Sequence, residues 1–287
     1  MRNVTKDTIT DAFVAYCAKT RDPRVKFVLS RLAAHLHAFA KEVELTHEEW
    51  LLAMELLRRA GEISSPERNE FILLSDLFGL SALTDMIGSR GSGTQFSNLG
   101  PFHIEGSAWL EVGGDMIADN AGEHVVFYGR VLDAQSGAPL AGAVLDIWQT
   151  ASNGLYSNQD PDQPPGNLRR RMKTDAGGGY AFTTVRPGPY TVPDDGPAGE
   201  LLRATGRHAW RPAHYHFRIS AAGRPALITE IFPDDDPWID EDAVFGVRES
   251  LAVPLVSETD PSVIPFTLAA AARLKRPFYR IEYTFRL

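Results

Sequence analysis

The sequence is poor in cysteine, in long apolar runs and in positive charge. Its single cysteine, Cys17, excludes an internal disulfide framework and any metal site built from several cysteines. No stretch approaches the roughly 18–20 uninterrupted apolar residues of a membrane-spanning helix. Lys and Arg number 29 against 37 Asp and Glu, which gives a formal net charge of −8 at pH 7. Because phosphate groups are bound by clustered Lys and Arg, this balance argues against a nucleic-acid partner.

The N-terminus also lacks the pattern of an export signal. The opening MRNVTKDTIT has no apolar run after its basic residue. Together with the single cysteine, this predicts a cytoplasmic protein that does not associate with membranes. What the chain does have is 44% hydrophobic residues over 287 positions, enough for one large domain or for a main domain with a smaller helical addition.

Helical patterning dominates the first part of the chain. Apolar residues recur there at steps of three and four, with charged residues between them, and form one stripe at Leu29, Leu32, Leu36 and Phe39. Thr46 and Glu49 have the spacing of a capping box, and Gly61 is predicted to end the helix that follows. The dipeptide Ser65-Pro66 predicts the start of the next helix.

From about residue 124 the pattern changes to short β-like runs separated by Gly and Pro. The clearest runs are 125–127, 143–148, 180–184, 214–220, 227–232 and 279–285. Many short strands at this spacing favour an antiparallel β-sandwich over a parallel sheet. The predicted fold class is therefore mainly β with a helical part: an N-terminal helical domain over residues 1–95, followed by a β-sandwich domain over residues 96–287.

The strongest local signal for chemistry is a pair of histidines, His214 and His216. In a strand, residues i and i+2 project from the same face, so the two imidazoles point together. Two adjacent imidazoles are able to hold one metal ion, although two ordinary strand histidines have the same spacing. Tyr156 follows a predicted strand and Tyr190 lies in a stiff proline-rich segment, and such loops often carry functional residues. Spacing alone makes neither tyrosine a metal ligand.

Four segments of the chain match a known family in their order and separation. They are DIWQTASNGLY, NLRRRMKTD, PGPYTVPDDGP and GRHAWRPAHYHFRIS. They resemble the intradiol ring-cleavage dioxygenases, specifically the catechol and hydroxyquinol 1,2-dioxygenase group, and the resemblance extends to FILLSDLFGLS and LGPFHIEG. It implies one Fe(III) per chain. It also implies that two tyrosinates and two histidines hold this ion, and these fall on Tyr156, Tyr190, His214 and His216.

The resemblance also implies a reaction, in which both atoms of O2 enter a catechol-type ring between its hydroxyl-bearing carbons. Tyr190 is expected to leave the metal when the substrate binds and to take up a substrate proton. Arg211 is expected to lie behind the substrate, where its charge steadies developing negative charge; a surface ion pair is the simpler alternative. The Arg169–Arg171 run is expected to brace the loop between the tyrosines. Carried over in the same way, the pocket residues are Leu99, Gly100, Pro101, Val192, Pro193, Val244 and Asp85; ordinary core packing explains the apolar ones equally well.

Substrate preference is implied by smaller features. The segments PYTVPDDGP and DAVFGVRESL favour hydroxyquinol (1,2,4-trihydroxybenzene), which would give 3-hydroxy-cis,cis-muconate and then maleylacetate. Catechol or a chlorocatechol, giving a muconate or chloromuconate, is the alternative. Glu230 departs from the family, which carries glutamine in catechol enzymes and often histidine in hydroxyquinol enzymes, so its role stays open. Family members are typically homodimers through the N-terminal helices, often with a lipid held between them.

Functions of two other classes fit parts of the pattern. GRVLDAQSGAPLAGAVLDIW resembles strands of carboxypeptidase regulatory-like and prealbumin-like domains, which are non-catalytic ligand-binding sandwich modules. A zinc hydrolase would use His214, His216 and a carboxylate such as Glu230. Both alternatives predict a colourless protein, whereas tyrosinates bound to Fe(III) predict a burgundy one.

Overall fold

The computed structural model describes residues 3–65, 68–89 and 93–287. In these ranges the helices are α1 (Ile9–Cys17), α2 (Pro23–Glu42), α3 (His47–Ile63), α4 (Glu70–Leu77), α5 (Leu80–Gly88) and α6 (Pro197–Ala204). The strands are β1 (Gly114–Asp115), β2 (His124–Leu132), β3 (Val144–Gln149), β4 (Arg169–Lys173), β5 (Gly179–Val185), β6 (Tyr190–Thr191), β7 (Trp210–Arg211), β8 (Tyr215–Ser220), β9 (Leu227–Pro233), β10 (Ala252–Val253), β11 (Val256–Glu258) and β12 (Phe278–Arg286). Short 3₁₀ helices cover Glu249–Leu251, Pro261–Val263 and Ala271–Arg273.

The chain divides into two compact units, residues 1–59 and residues 60–287. The first unit contains α1, α2 and most of α3, and the second contains α4, α5 and all the strands. The predicted domain boundary at residue 95 stays a prediction. No single helix in the described ranges is long and apolar enough to cross a membrane, and the pair α4 and α5, bent by 77°, passes that test only when taken together, by length and composition alone.

Helix α2 begins where its sequence provides a cap. The Asp22 carboxylate accepts hydrogen bonds from the backbone amides of Arg24 and Val25, at 2.7 and 3.1 Å, and Pro23 takes the first helical position. The predicted apolar stripe lies along this helix, and its members are unusually exposed: Leu29 41%, Leu32 52%, Leu36 56% and Phe39 54%. A continuous apolar stripe with this exposure is a candidate interaction surface.

The capping box predicted at the start of α3 is confirmed. The Thr46 amide donates to Glu49 Oε2 at 2.9 Å, and the Glu49 amide donates to Thr46 Oγ1 at 3.2 Å. The predicted helix end at Gly61 is wrong by two residues, because α3 continues to Ile63. Gly61 is not among the residues with positive φ, so it does not adopt the left-handed conformation by which a glycine ends a helix.

The helix predicted to start at Ser65-Pro66 begins at Glu70 within the described residues, and Pro66 lies outside them. Its cap is Asn69, whose side-chain oxygen accepts a hydrogen bond from the Ile72 amide at 3.1 Å. Asparagine is as good a helix cap as serine, which explains why the helix can start at Asn69 instead.

Two five-stranded sheets form the predicted sandwich. Their strand orders are β1-β5-β2-β12-β11 and β10-β9-β8-β3-β4, while β6 and β7 pair as a separate two-stranded ribbon. The sheets are mixed rather than purely antiparallel, because β2 pairs in parallel with β12, β1 with β5, and β9 with β10. The parallel β2–β12 ladder is possible because the chain passes through the other sheet before its last strand returns.

The core of the sandwich is aromatic. Phe127 stacks on Phe182 with ring centroids 5.4 Å apart, and Tyr215 and Phe217 of β8 pack against the same ring. Side chains of a strand alternate between its faces, so His216, between these two core residues, points to the other side of the sheet. The core thereby fixes the direction of the predicted ligand.

Candidate metal centre

Strand β8 and its neighbours hold the two histidines rigidly. His216 lies directly across from Trp148 on β3, and the two rings stack with centroids 4.7 Å apart and planes inclined by 6°. His214 precedes β8, and its Nδ1 lies 2.7 Å from the carbonyl oxygen of Pro212. That contact assigns the proton of His214 to Nδ1 and leaves a lone pair on Nε2.

The Nε2 atoms of both histidines meet the Tyr156 hydroxyl at one point. The hydroxyl lies 3.0 Å from His216 Nε2 and 3.4 Å from His214 Nε2, and the two nitrogens are 3.1 Å apart. All three residues are at most 2% exposed. The single proton of the Tyr156 hydroxyl can satisfy only one of the two nitrogens, so the other keeps a buried lone pair that a cation at this point would satisfy. Phenolate and imidazole together suit iron, and anionic phenolates favour its ferric state, so the residues present fit an Fe(III) ion.

Tyr190 joins this group from strand β6. Its ring centroid lies 5.8 Å from that of Tyr156 and 5.5 Å from that of His214. Tyr190 is only partly buried as a whole residue, yet its hydroxyl lies 3.4 Å from Nη1 of the buried Arg211, which faces it across the β6–β7 pair. The structure thus brings together all four residues predicted to hold the metal.

Burial disfavours charge on each of the four. Desolvation raises the pKa of Tyr156, and the neighbouring Tyr190 raises it further. The pKa of Tyr190 is also raised by desolvation, against the opposing effect of the Arg211 cation. Desolvation lowers the pKa values of His214 and His216. The imidazoles are therefore neutral and ready to act as ligands, whereas the phenols need a bound cation to ionise.

Tyr156 is braced by residues of the neighbouring loops. The ring of Phe102 stacks on it with centroids 4.6 Å apart, and the guanidinium of Arg169 lies 5.5 Å from its centroid. Arg169 also donates hydrogen bonds to Ser157 Oγ at 3.0 Å and Asn158 Oδ1 at 2.9 Å, which confirms the predicted bracing of this loop for Arg169. The contact of Phe102 was not predicted, although LGPF was recognised as a motif.

Arg211 lies beside the group and is held by two carboxylates. Its Nη1 and Nη2 lie 3.0 and 3.1 Å from the two oxygens of Glu230, and its Nε lies 3.2 Å from Asp242 Oδ1. Arg211 does form ion pairs, as the simpler interpretation predicted, but they are buried, with Arg211 itself only 3% exposed. Nothing in the sequence distinguished Asp242 from the other acidic residues.

The three residues that a zinc hydrolase would use do lie close together. Ligand atoms of His214, His216 and Glu230 all lie within 4.8 Å of one another. Both oxygens of Glu230 are already engaged, however, one by Arg211 and the other by Arg211 and the Ser97 hydroxyl. Glu230 is therefore better placed as a partner of the arginine than as a metal ligand.

The residues predicted to contact substrate differ in their burial and in their contacts. Gly100 is in contact with it, since a Cβ at this position would lie 3.5 Å from His216 Cε1. Asp85 is half-buried, its Oδ2 has no hydrogen-bond partner among the described residues, and desolvation raises the pKa of its carboxyl group. Among the remaining predicted positions, Val192 and Val244 are buried. The exposed ones are Leu99, Pro101 and Pro193. Their contacts with substrate stay predictions.

Comparison with known proteins identifies relatives over nearly the whole chain. Residues 22–94 match the family model described as "Catechol dioxygenase N terminus", and residues 100–277 match the one described as "Dioxygenase". The 6-chlorohydroxyquinol 1,2-dioxygenase of Cupriavidus pinatubonensis is 42% identical over 262 residues, which cover 91% of this chain and 95% of that protein. The hydroxyquinol 1,2-dioxygenase of a Rhizobium species is 44% identical over 80% of this chain and 79% of its own length. The crystal structure of hydroxyquinol 1,2-dioxygenase from Pseudomonas putida has a TM-score of 0.89 and 43% identity, and covers 98% of this chain and 97% of that one.

Proposed function

This chain belongs to the intradiol ring-cleavage dioxygenases, and on that basis we propose that it binds one Fe(III) and acts preferentially on hydroxyquinol. The ligands would be Tyr156, Tyr190, His214 and His216. The observation that carries the proposal is the meeting of one phenol oxygen and two imidazole nitrogens at 3.0–3.4 Å in a buried site. Identity of 42–44% to enzymes named for hydroxyquinols supports the substrate. The product would be 3-hydroxy-cis,cis-muconate, which tautomerises to maleylacetate.

The two tyrosines have different roles in this proposal. When bound, the ferric ion supplies Lewis acidity that makes a coordinated diol reactive toward O2. Tyr156 is fully buried under Phe102, so it is suited to stay in place throughout. Tyr190 is less buried as a whole residue and its hydroxyl adjoins the Arg211 guanidinium, so Tyr190 is the ligand assigned to leave and to accept a proton from an arriving diol at its own oxygen.

Arg211 supplies a fixed positive charge at the same place. Its Nη1 lies 3.4 Å from the Tyr190 hydroxyl and 3.5 Å from His214 Nε2, so the cation adjoins the position that Tyr190 would vacate. A cation already held by buried partners needs no reorganisation when negative charge develops on the ring. Buried apolar side chains nearby in the predicted pocket, Val192 and Val244, would keep water away from that charge.

Oxygen uptake tests the substrate and the metal together. We expect iron-loaded protein to give a higher kcat/KM with hydroxyquinol than with catechol or 4-chlorocatechol, by about 10–200-fold, because one ring substituent is worth about 1–3 kcal/mol in a fitted pocket. Chelation of the iron should abolish both oxygen uptake and the burgundy colour, and added iron should restore both. A preference for catechol or 4-chlorocatechol would contradict the proposed preference for hydroxyquinol. Full activity without iron would contradict the proposed iron requirement.

We propose in addition that the chain forms a homodimer through its N-terminal helices, with a lipid held between them. The exposed apolar stripe of α2, described above, supports an apolar partner. A second copy of the chain offers the same stripe, as a two-fold interface requires.

Sedimentation velocity tests this interface. The double variant Leu32→Asp/Leu36→Asp places two charges on the stripe and should convert the dimer to a monomer, because neither carboxylate would find a partner in an apolar interface. Lys41→Glu, at an exposed position of the same helix, is the matched control and should remain dimeric. Solvent extraction with mass spectrometry should release lipid from the wild type. A monomeric wild type would contradict the proposed homodimer. An extract without lipid would contradict the proposed lipid between the helices.

A further inference from the structure

Strand register places a carboxylate beside the metal centre. Glu230 of β9 lies directly across from His216 of β8, and directly paired residues project from the same face of a sheet. Glu230 Oε1 lies 3.5 Å from His216 Nδ1 and 3.6 Å from His214 Nε2. His216 Nδ1 is buried and makes no hydrogen bond within the described residues, so the Glu230 carboxylate at 3.5 Å is a negative charge close to its N–H.

The second oxygen of Glu230 ties the centre to the loop that covers it. The Ser97 hydroxyl donates to Glu230 Oε2 at 2.5 Å, and both side chains are buried. The Ser97 amide donates to the carbonyl oxygen of Ile228 at 3.0 Å, which fixes this segment along β9. Gly100, three residues further on, is the glycine that packs against His216. One carboxylate thus contacts the ligand-bearing strand and also the covering loop.

Arg211 is placed by the same carboxylate. The two atom pairs at 3.0 and 3.1 Å form a bidentate interaction, which fixes the plane of the guanidinium as well as its position. Asp242 holds the other edge of the guanidinium. One cation therefore faces two carboxylates, and the ionised trio carries one excess negative charge within reach of the metal ligands.

Gly246 shows how tightly this trio is enclosed. A Cβ at this position would lie 2.7 Å from Arg211 Nη2, 2.8 Å from Asp242 Oδ2 and 3.0 Å from Glu230 Oε2. The Gly246 amide donates to Asp242 Oδ2 at 2.8 Å, so the backbone itself completes the enclosure. A side chain at position 246 would therefore have to displace the ends of these three side chains.

We propose that Glu230 is a positioning residue that orients His216, fixes Arg211 and sets the charge next to the bound iron. This rests on the iron centre of the proposed function. A carboxylate partner makes a ligating imidazole a stronger donor, and partners of this kind typically change metal affinity by about 10–100-fold. Negative charge beside Fe(III) also makes the ion a weaker electron acceptor. It therefore moves tyrosinate-to-iron charge transfer to shorter wavelength and the iron reduction potential to lower values.

The variant Glu230→Gln keeps the shape of the side chain and removes its charge. We expect the tyrosinate-to-iron band to move to longer wavelength, the reduction potential to rise and iron affinity to fall by about 10-fold or more. Glu70→Gln is the matched control, because Glu70 is also fully buried and paired with an arginine, Arg68 at 3.0 Å, but its hydrogen-bond and ion-pair partners within the described residues include no histidine. This control should leave all three quantities unchanged.

The variant Ser97→Ala is a milder test, in which the charge-transfer band should move in the opposite direction. Without the Ser97 hydroxyl as donor, more of the negative charge of the Glu230 carboxylate acts on the histidines, so the band should move to shorter wavelength. A merely structural role for Glu230 predicts no shift of the band in either variant.

An unchanged band, reduction potential and iron affinity in Glu230→Gln would overturn the proposal. If that variant does not fold, an unchanged band in Ser97→Ala overturns it. Wild-type protein that binds iron without any tyrosinate band would refute the proposed function itself, which is a different result.

Discussion

Replacement of Tyr190 with phenylalanine is expected to lower kcat for the preferred diol by about 10²–10⁴-fold, the usual contribution of a positioned proton acceptor. The variant keeps Tyr156, His214 and His216, which meet one another without help from Tyr190. Part of the iron should therefore remain bound, with a weaker charge-transfer band. Steady-state oxygen uptake normalised to iron content separates the loss of turnover from the loss of metal.

Tyr215→Phe is the matched control for this experiment. Tyr215 lies between the two histidines in sequence but packs in the core against Phe127, with ring centroids 5.2 Å apart. Its hydroxyl is buried without a hydrogen-bond partner in the described part of the chain, so its removal costs no interaction. We expect normal turnover and colour. Unchanged turnover in Tyr190→Phe would remove Tyr190 from the mechanism.

Replacement of Arg211 with methionine is expected to reduce the free energy of unfolding by about 3–5 kcal/mol, because two buried carboxylates would lose the guanidinium that pairs with both of them. Oxygen uptake should fall as well, since the fixed cation beside the ring would be gone. Urea denaturation of the iron-free proteins measures the stability directly and avoids any contribution from the metal.

The double variant Arg211→Met/Glu230→Gln identifies the origin of that loss. Because glutamine carries no charge, the double variant should be more stable than Arg211→Met alone, with a coupling free energy of about 0.5–3 kcal/mol. Strictly additive effects would mean that the Arg211–Glu230 contact contributes little. If Arg211→Met lowered the free energy of unfolding by less than about 1 kcal/mol, the Arg211–Glu230 ion pair would contribute no more than an exposed ion pair does. That result would contradict the importance of its burial.

Local signals in the sequence predicted local structure well. The capping box at Thr46 and Glu49 formed as its spacing predicted, because both partners lie within one helical turn. The spacing of His214 and His216 predicted their common direction, since alternation along a strand is a property of the backbone. The end of α3 was misplaced, because Gly61 is compatible with a helix interior at modest cost.

Long-range partners were much harder to predict. Asp242 reaches Arg211 through a loop, and no periodicity relates the two residues. The neighbours of Glu230 became apparent only from the β8–β9 register, which depends on how the turn between the strands is built. The parallel pairing of β2 with β12 likewise joins distant parts of the chain. The grouping of Tyr156 and Tyr190 with the histidines was inferred from family resemblance, since residue spacing alone did not imply it.

The two faces of β8 have a practical consequence for engineering. A larger side chain at Phe217 would press on the aromatic interior and, through the rigid strand, tilt the neighbouring imidazole. Libraries that aim at bulkier phenolic pollutants should therefore leave this strand untouched. Diversity belongs instead in the predicted pocket segments around Leu99, Pro101 and Pro193, where exposed side chains tolerate exchange.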